Sequence, residues 1–375
     1  MTSLPNESTS TQAWYQAIGR EFSRALVNYA ELGSYIEPFV QAYQPFWSPG
    51  GHRAQVVQVR HENPKVFSLV MKPSRHWPGF EAGQFIELFT EHNGRRLGRC
   101  FSISSSPASF LKHGTIELTI RIQENGLVTP RLKKMLQAGQ YVGISEAKGD
   151  FTLQDTETSL LLIAGGSGIT PFRSMLEEVS HRPRSQSIQL LYYAHTPDMH
   201  LFRREFGILQ ASHPNVHITF VATKTAGRLA TKHLEKYCND YRQRHIYLCG
   251  PTGMIQSALK LFQDCSVPRE NIFLEYFGSA PIEAPSTHAG SRVYLADSKQ
   301  TLEVTSQTPQ SLLTLAKQNG LKPKSGCGMG LCGQCICTKK SGVVYNTKTG
   351  RQSDERREDI KLCISVPLGD VTLDL

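Results

Sequence analysis

Residues 327–335 read CGMGLCGQC, and a further cysteine stands at position 363. Four residues separate Cys327 from Cys332, and two separate Cys332 from Cys335. Three thiolates in one glycine-rich loop, with a fourth at a distance, have the ligand spacing that holds a 2Fe–2S cluster. A structural zinc site is the alternative, but its four cysteines usually come as two close pairs. The spacing therefore predicts an iron–sulfur centre with ligands Cys327, Cys332, Cys335 and Cys363.

The segment around this loop resembles a plant-type ferredoxin domain, over residues 292–375. The resemblance includes the strand-like stretches VYLADS and TLEVTS, a helical stretch at about residues 311–319 and the closing DVTLDL. It implies an α+β fold of the β-grasp kind around the cluster. Typical plant ferredoxins are acidic, whereas this segment carries twelve Lys and Arg against eight Asp and Glu. We therefore expect a basic docking face that suits an acidic or membrane-bound partner.

Upstream, residues 160–172 read LLLIAGGSGITPF, a fully apolar strand followed by a glycine loop and a helix. Glycines let the backbone approach a pyrophosphate, and the free N–H groups of a helix start attract an anion. Thr170 is predicted to cap a helix that begins at Pro171. The loop lacks the GxGxxG fingerprint and nearly matches a nucleophile elbow, so a hydrolase built on Ser167 is a weaker alternative.

Strand-like and helical runs alternate after residue 159, which predicts an α/β domain with a parallel sheet covered on both faces. Between residues 52 and 153, short β-like runs separated by Gly and Pro predict an antiparallel β-barrel. The chain order of RCFSISSSP, ENGLVT, AGGSGITPF, YLCGPTGM and FLEYFG then resembles the ferredoxin–NADP reductase-like flavoproteins. That resemblance extends over residues 52–278.

The resemblance implies roles for individual residues. Arg99 would pair with the flavin phosphate, Phe101 would lie against the flavin, and Ser102 would lie near the reactive edge of its ring. Ser102, Cys249 and Glu275 are the implied catalytic residues. The other positions implied to bind flavin or nicotinamide dinucleotide are Gly126, Leu127, Val128, Thr129, Gly165, Gly166, Ser167, Gly168, Thr170, Pro171, Cys249, Gly250, Pro251 and Phe277.

The choice of cofactor within each class depends on fewer residues. Thr196 and Arg203 follow the second strand of the α/β domain and offer a hydroxyl and a cation for the extra phosphate of NADPH. We therefore predict NADPH, with NADH as the alternative. The resemblance favours FAD as the flavin, with FMN as the alternative.

Six segments are predicted along the chain. Residues 1–12 read as a disordered tail, and an apolar residue at every fourth position from Trp14 to Leu26 predicts a helical extension that packs on the next domain. The predicted bounds are 13–47 for the extension, 48–153 for the flavin barrel, 154–280 for the nucleotide domain, 281–291 for a linker and 292–375 for the ferredoxin domain.

Composition excludes several classes of protein. The chain is 39% hydrophobic and 19% charged, which is ordinary for a soluble protein, and no apolar run approaches the length of a membrane span. The formal charge of +9 comes from scattered residues, so we expect no nucleic-acid partner. The polar N-terminus lacks the features of a secretion signal. We expect a cytoplasmic protein, with peripheral attachment to the inner face of the membrane as the alternative.

Together the three modules imply an electron-transfer chain from NADPH through FAD to a 2Fe–2S cluster and then to a separate oxygenase. The N-terminal extension resembles that of bacterial reductases that feed membrane-bound fatty-acyl desaturases, which makes a desaturase the predicted acceptor. The alternative acceptor is a ring-hydroxylating dioxygenase or another oxygenase. The alternative of another class is a non-catalytic nucleotide-binding or redox-sensing protein.

Overall fold

The computed structural model of the chain describes residues 40–48, 51–92, 95–124, 126, 128–181, 185–277, 290–304, 309–326, 328, 330 and 333–375. The predicted tail, most of the predicted extension, Leu127, Cys327 and Cys332 lie outside these residues. Residues 40–43 are helical. Shortly after them, the rings of Phe46 and Tyr141 meet edge to face at 5.0 Å. The described end of the extension therefore packs on the domain that follows it.

An antiparallel barrel comes first. Its strands pair in the order β4-β3-β6-β1-β2-β5, where the bounds are β1 (His52–Asn63), β2 (Val66–Pro73), β3 (Phe85–His92), β4 (Arg95–Ser102), β5 (Ile116–Arg121) and β6 (Tyr141–Ile144). A bridge from Ile103, just beyond β4, to Leu118 of β5 joins the two outer strands and closes the sheet. Fully buried Phe67, Leu69 and Ile86 fill its interior.

Two short helices flank the barrel strands. They are α1 (Pro107–His113) and α2 (Thr129–Met135). The Ser106 hydroxyl accepts a hydrogen bond from the Ser109 N–H and so caps α1, with Pro107 in the first turn. Gly114 ends the same helix in the left-handed conformation, at φ +67°.

A five-stranded parallel sheet forms the second domain, in the order β11-β10-β7-β8-β9. The strands are β7 (Leu160–Gly165), β8 (Ile188–Ala194), β9 (Val216–Ala222), β10 (His245–Gly250) and β11 (Ile272–Tyr276). The helices are α3 (Ile169–His181), α4 (Arg203–Ser212), α5 (Thr223–Ala226), α6 (Thr231–Tyr237) and α7 (Thr252–Asp264). Every residue of β7 and β8 is buried because separate apolar cores cover the two faces of the sheet.

The third domain contains two sheets and, among its described residues, one helix. Its larger sheet has the order β13-β12-β19-β14-β17, and a smaller one has the order β16-β15-β18. The elements are β12 (Arg292–Leu295), β13 (Gln300–Glu303), α8 (Leu312–Gln318), β14 (Ile336–Ser341), β15 (Val344–Asn346), β16 (Arg351–Gln352), β17 (Glu358–Lys361), β18 (Ser365–Pro367) and β19 (Val371–Leu373). The Lys339 ammonium, fully buried in β14, donates to the carbonyls of Asp354 and Arg356 at 2.8 and 2.7 Å. Those bonds offset the cost of burying the charge.

The predicted fold class is confirmed in all three parts. The antiparallel barrel, the parallel α/β sheet and the α+β domain follow in the predicted order, and α8 lies within the stretch predicted to be helical. None of the helices in the described part of the chain is long and apolar enough to span a bilayer.

Candidate active site

Strand β4 carries the predicted flavin segment, and its residues have different surroundings. Ser102 is buried, and the Phe101 ring packs against the barrel core while staying partly exposed. The Arg99 guanidinium donates to the carbonyls of Gly98 and Gly326, at 2.7 and 3.4 Å. Since Gly326 directly precedes the first cysteine of the cluster loop, the Arg99 guanidinium connects the flavin segment to the ferredoxin domain.

The predicted second phosphate contact is a tight turn before α2. The Gly126 N–H donates to the Gln123 carbonyl at 2.8 Å, and the Thr129 hydroxyl accepts from the Gln123 N–H at 2.8 Å. Val128 is buried in the barrel core, so its side chain serves packing. Leu127, between them, is outside the described residues.

The glycine loop after β7 lies very close to the end of β10. A Cβ atom on Gly168 would stand 2.3 Å from the Cys249 carbonyl oxygen, and one on Gly165 would stand 3.0 Å from Pro251 Cδ. Gly166 has a φ of +55°, in the left-handed region. A side chain at Gly165 or Gly168 would push the two loops apart. The glycines are therefore needed for packing against the end of β10, and the loop stands at a helix start, where backbone N–H groups attract an anion such as a pyrophosphate.

The predicted helix start in this loop was wrong. Helix α3 begins at Ile169, after a 3₁₀ turn over Gly166–Gly168, so Thr170 lies inside the helix instead of capping it. Its hydroxyl donates to the Ser167 carbonyl at 3.0 Å. The 3₁₀ turn continues directly into α3 and moves the helix start toward the strand.

The three residues implied to be catalytic meet at the boundary of the barrel and the parallel sheet. Cys249 and Glu275 are register partners on β10 and β11. The Ser102 hydroxyl donates to Glu275 Oε2 at 3.5 Å, and the Cys249 thiol points to the same oxygen at 4.0 Å. The Phe277 N–H donates to the Gly250 carbonyl at 3.0 Å, which fixes the chain just beyond Glu275.

Burial keeps the Glu275 carboxyl and the Cys249 thiol protonated. It raises the pKa of Glu275 to about 8, although the Ser102 hydrogen bond and the Lys348 ammonium act in the opposite direction. Burial also raises the pKa of the Cys249 thiol well above its usual value, and the Glu275 carboxyl adds to that shift. At neutral pH the serine, the thiol and the carboxyl are therefore all uncharged, and each carries a proton that it can donate in a hydrogen bond.

The two residues predicted to select NADPH lie beyond the end of β8. The Thr196 side chain hydrogen-bonds the Asp198 carboxylate, which lowers the pKa of that acid. The Arg203 side chain is exposed, with its guanidinium 4.6 Å from the centre of the Phe220 ring. A guanidinium stacked on a ring face in this way still points its N–H groups outward in its own plane, where they can donate to a phosphate.

The cysteine site brings two predicted ligands together. Cys335 Sγ and Cys363 Sγ lie 3.2 Å apart, at 3% and 8% exposure, and the Gly330 N–H donates to Cys363 Sγ at 3.1 Å. Gly330 has a φ of +72°, and a Cβ atom there would stand 2.6 Å from the Ile364 side chain. Adjacent buried sulfurs with a backbone donor fit an iron–sulfur cluster, whose sulfurs take hydrogen bonds of this kind. The other two predicted ligands are not among the described residues.

Cys337 behaves as a residue outside the cluster. It is 7% exposed within the ferredoxin core, and its Sγ lies 3.4 Å from the Asp374 carbonyl oxygen. Burial raises the pKa of this thiol to about 11, so it stays protonated. A free thiol in such a position packs as a small apolar residue.

Three domain families match the chain in the order of these sites. They are an oxidoreductase FAD-binding domain at residues 54–153, an oxidoreductase NAD-binding domain at 162–260 and a 2Fe-2S iron-sulfur cluster binding domain at 295–368. The chain is a flavin and iron–sulfur NAD(P)H oxidoreductase of the ferredoxin reductase type. The predicted FAD and 2Fe–2S cofactors are confirmed at the level of these domains, and neither the non-catalytic alternative nor the hydrolase alternative is kept.

Curated relatives and solved structures resemble the oxidoreductase over most of its length. The "NADPH oxidoreductase" of Mycobacterium tuberculosis is 28% identical over 90% of this chain and 88% of its own. The "Glycine betaine monooxygenase reductase subunit" of Chromohalobacter salexigens is 26% identical over 88% of this chain and 96% of its own. The structure of phthalate dioxygenase reductase aligns with a TM-score of 0.58 at 21% identity, over 87% of this chain and 98% of its own, and so has the same fold.

The geometry indicates what Ser102, Cys249 and Glu275 would contribute to the transfer of electrons. A flavin held beside these residues would supply the conversion of a two-electron hydride into the single electrons that a 2Fe–2S cluster takes. Ser102, Cys249 and Glu275 supply uncharged hydrogen-bond donors where the barrel meets the sheet. Because no side chain of this trio is ionised at neutral pH, the trio would place no negative charge beside a hydride transferred at this boundary.

One positioning network in the oxidoreductase was missed from the sequence. Arg173 of α3 forms ion pairs with Glu117 of the barrel at 3.2 Å and with Glu205 at 2.8 Å. The Ser174 hydroxyl donates to the Ser105 carbonyl at 2.7 Å, and Glu177 accepts from the Ser106 N–H at 2.9 Å. These contacts fix the helix after the nucleotide loop to the segment after Ser102. No spacing in the sequence indicates them, because the partners lie 32 to 71 residues apart.

Proposed function

We propose that this oxidoreductase is the reductase component of an oxygenase system, which takes electrons from NADPH and delivers them one at a time to a separate oxygenase. The observation that carries the proposal is the placement of Arg99. Its segment ends in Ser102, which contacts Glu275 of the nucleotide domain, while its guanidinium contacts Gly326 beside the cluster loop. The flavin segment thus lies between the electron entry and the electron exit. The names of the glycine betaine monooxygenase and stachydrine N-demethylase reductase subunits support the oxygenase as acceptor.

A reconstitution experiment tests the acceptor class. We would combine the purified holoenzyme and NADPH with the oxygenase component of glycine betaine monooxygenase, and in parallel with a membrane-bound acyl-CoA desaturase in vesicles. Oxygenase turnover, with nearly one product per NADPH, supports the proposal, because two electrons reduce one oxygen atom of O₂ to water while the other enters the product. Turnover of the desaturase alone would overturn the proposal. Failure of both would also contradict it.

The desaturase acceptor stays a prediction from the sequence. Its distinguishing observation is the N-terminal extension, and only residues 40–48 of that extension are described. A chain that begins at residue 40 offers the direct comparison. Loss of desaturase turnover in that shortened chain, with oxygenase turnover unchanged, would assign the extension to a desaturase.

Ile336 is a candidate contact for the acceptor. It follows Cys335 directly, its side chain is 54% exposed, and it lies opposite Lys361 in the β14–β17 register. We expect Ile336→Asp to lower oxygenase turnover roughly tenfold, since desolvated apolar contacts dominate docking energies. Tyr294→Asp is the matched control, because Tyr294 is 43% exposed on the same domain and lies outside the cluster loop. Reduction of ferricyanide, a small acceptor, should stay within about twofold in both variants. Equal oxygenase turnover in the two variants would remove Ile336 from the docking face.

We propose NADPH as the preferred reductant, supported by the exposed guanidinium of Arg203 over Phe220. Arg203→Ala should raise KM for NADPH roughly tenfold and leave KM for NADH unchanged, because only NADPH carries the phosphate that the guanidinium would pair with. Arg242→Ala is the control, since that guanidinium also stacks on a ring at 4.6 Å but lies before β10, at the opposite end of the parallel strands. A parallel rise in both KM values would show that Arg203 acts through packing.

A further inference from the structure

We propose that Glu87 is a positioning residue that docks the cluster loop onto the flavin-binding strand through Gln334. The inference rests on the proposed function, because it concerns the step between the flavin and the cluster. Gln334 lies between Cys332 and Cys335 in the sequence, and its Nε2 donates to Glu87 Oε1 at 2.5 Å. The two residues are 247 positions apart and belong to different domains.

The carboxylate is built into the barrel and is 3% exposed. Its own backbone is held on both sides by one residue, because the Glu87 N–H donates to the Ser145 hydroxyl and the Ser145 N–H donates to the Glu87 carbonyl, each at 2.9 Å. A buried carboxyl group needs hydrogen-bond partners. Gln334 therefore meets a buried acceptor on a strand whose backbone is held in place, and this acceptor positions Gln334 beside Cys335.

Strand β4 makes room for this bond by lacking a side chain. A Cβ atom on Gly98 would stand 2.0 Å from Glu87 Oε1 and 2.9 Å from Gln334 Nε2. An alanine there would occupy the space where carboxylate and amide meet. The backbone of Gly98 needs no positive φ, so this close approach is what requires a glycine.

A second contact secures the other arm of the loop. Arg99, the neighbour of Gly98, donates to the carbonyl of Gly326, which precedes Cys327. Consecutive residues of β4 thus meet both ends of the cluster loop, at positions 326 and 334. Arg99, which is implied to bind the flavin phosphate, is thus the direct neighbour of Gly98, which leaves space for the Glu87–Gln334 hydrogen bond. We infer that strand β4 positions both the flavin and the cluster loop.

The test uses the full-length holoenzyme and the variant Gln334→Glu, which places a second carboxylate against Glu87. Rapid anaerobic mixing with NADPH follows flavin reduction and then cluster reduction. We expect the second step to slow roughly tenfold relative to the first, since misplacement by about an ångström has effects of this size. Hydrogen exchange of the β3 backbone should also become faster, because the dock covers that strand. The control is Gln352→Glu, which adds the same charge at an exposed position of the same domain.

A reciprocal pair keeps the test independent of folding. Glu87→Gln combined with Gln334→Glu restores a donor and an acceptor with exchanged places, so cluster reduction and hydrogen exchange should return to within about threefold of the parent. The proposal is overturned if Gln334→Glu and Gln352→Glu have the same rate of cluster reduction and the same hydrogen exchange. It is also overturned if the double variant reduces its cluster no faster than Gln334→Glu does. If the parent itself transfers no electrons from flavin to cluster, the proposed function fails. The Glu87–Gln334 contact is then tested by hydrogen exchange of the β3 backbone alone.

Discussion

Replacing Cys363 with alanine is expected to remove the iron–sulfur cluster while leaving the flavin in place. Its sulfur lies 3.2 Å from that of Cys335 and accepts the Gly330 N–H, so the substitution removes a predicted ligand and leaves a buried N–H without its acceptor. Loss of an outer-sphere partner already weakens metal sites 10- to 100-fold, so iron content should fall by at least roughly tenfold. The measurement is iron and acid-labile sulfide per chain, together with the flavin spectrum.

Cys337→Ala is the matched control for this prediction. Cys337 is as buried as Cys363, belongs to the same core and contacts a carbonyl instead of another thiol. Its removal leaves a small cavity, which costs stability but no iron. If the control lost iron to the same extent as Cys363→Ala, the predicted ligand set would be wrong.

The second large effect is expected at Glu275. Glu275→Ala removes the shared partner of Ser102 and Cys249, and hydride transfer from NADPH should slow roughly 100-fold, the scale of a positioned proton-bearing group. Glu275→Gln keeps an uncharged hydrogen-bonding group, so at pH 7 its rate should stay close to that of the parent. The measurement is the rate of flavin bleaching after anaerobic mixing with saturating NADPH.

The rate of hydride transfer should also depend on pH, through the ionisation of Glu275. The carboxyl has a pKa of about 8, so it is neutral below that pH and becomes a carboxylate above it. A new negative charge beside the hydride path is unfavourable, so the parent's rate should fall as pH rises through about 8, and Glu275→Gln should lose that fall. Because the Lys348 ammonium lowers this pKa, Lys348→Ala should move the fall to higher pH. A pH profile shared by the parent and Glu275→Gln would exclude Glu275 as the titrating group.

Much of the architecture could be predicted because its signals are local. The uninterrupted apolar run of β7 indicates a strand buried on both faces, and the structure buries every one of its residues. The cysteine spacing likewise depends on one short loop and one distant thiol. Each of these patterns is dictated by neighbouring residues, so a single sequence displays it.

The contacts between domains could not be predicted in this way. Glu87 and Gln334 are 247 positions apart, and each alone resembles an ordinary polar residue in a strand or loop. The start of α3 was misplaced because the 3₁₀ turn at Gly166–Gly168 continues directly into the helix, which propensity at Thr170 and Pro171 does not reveal. Burial and cross-domain pairing set the positions of these residues, and both are properties of the assembled fold.

The most direct test of the account is anaerobic rapid mixing of the purified holoenzyme with one equivalent of NADPH, followed across the visible spectrum. We predict that flavin absorbance bleaches first and that the broad red absorbance of the cluster decreases next, within the same chain and independently of protein concentration. A cluster that stays oxidised while the flavin is fully reduced, or that is reduced only in proportion to protein concentration, would contradict an internal path from NADPH through flavin to iron.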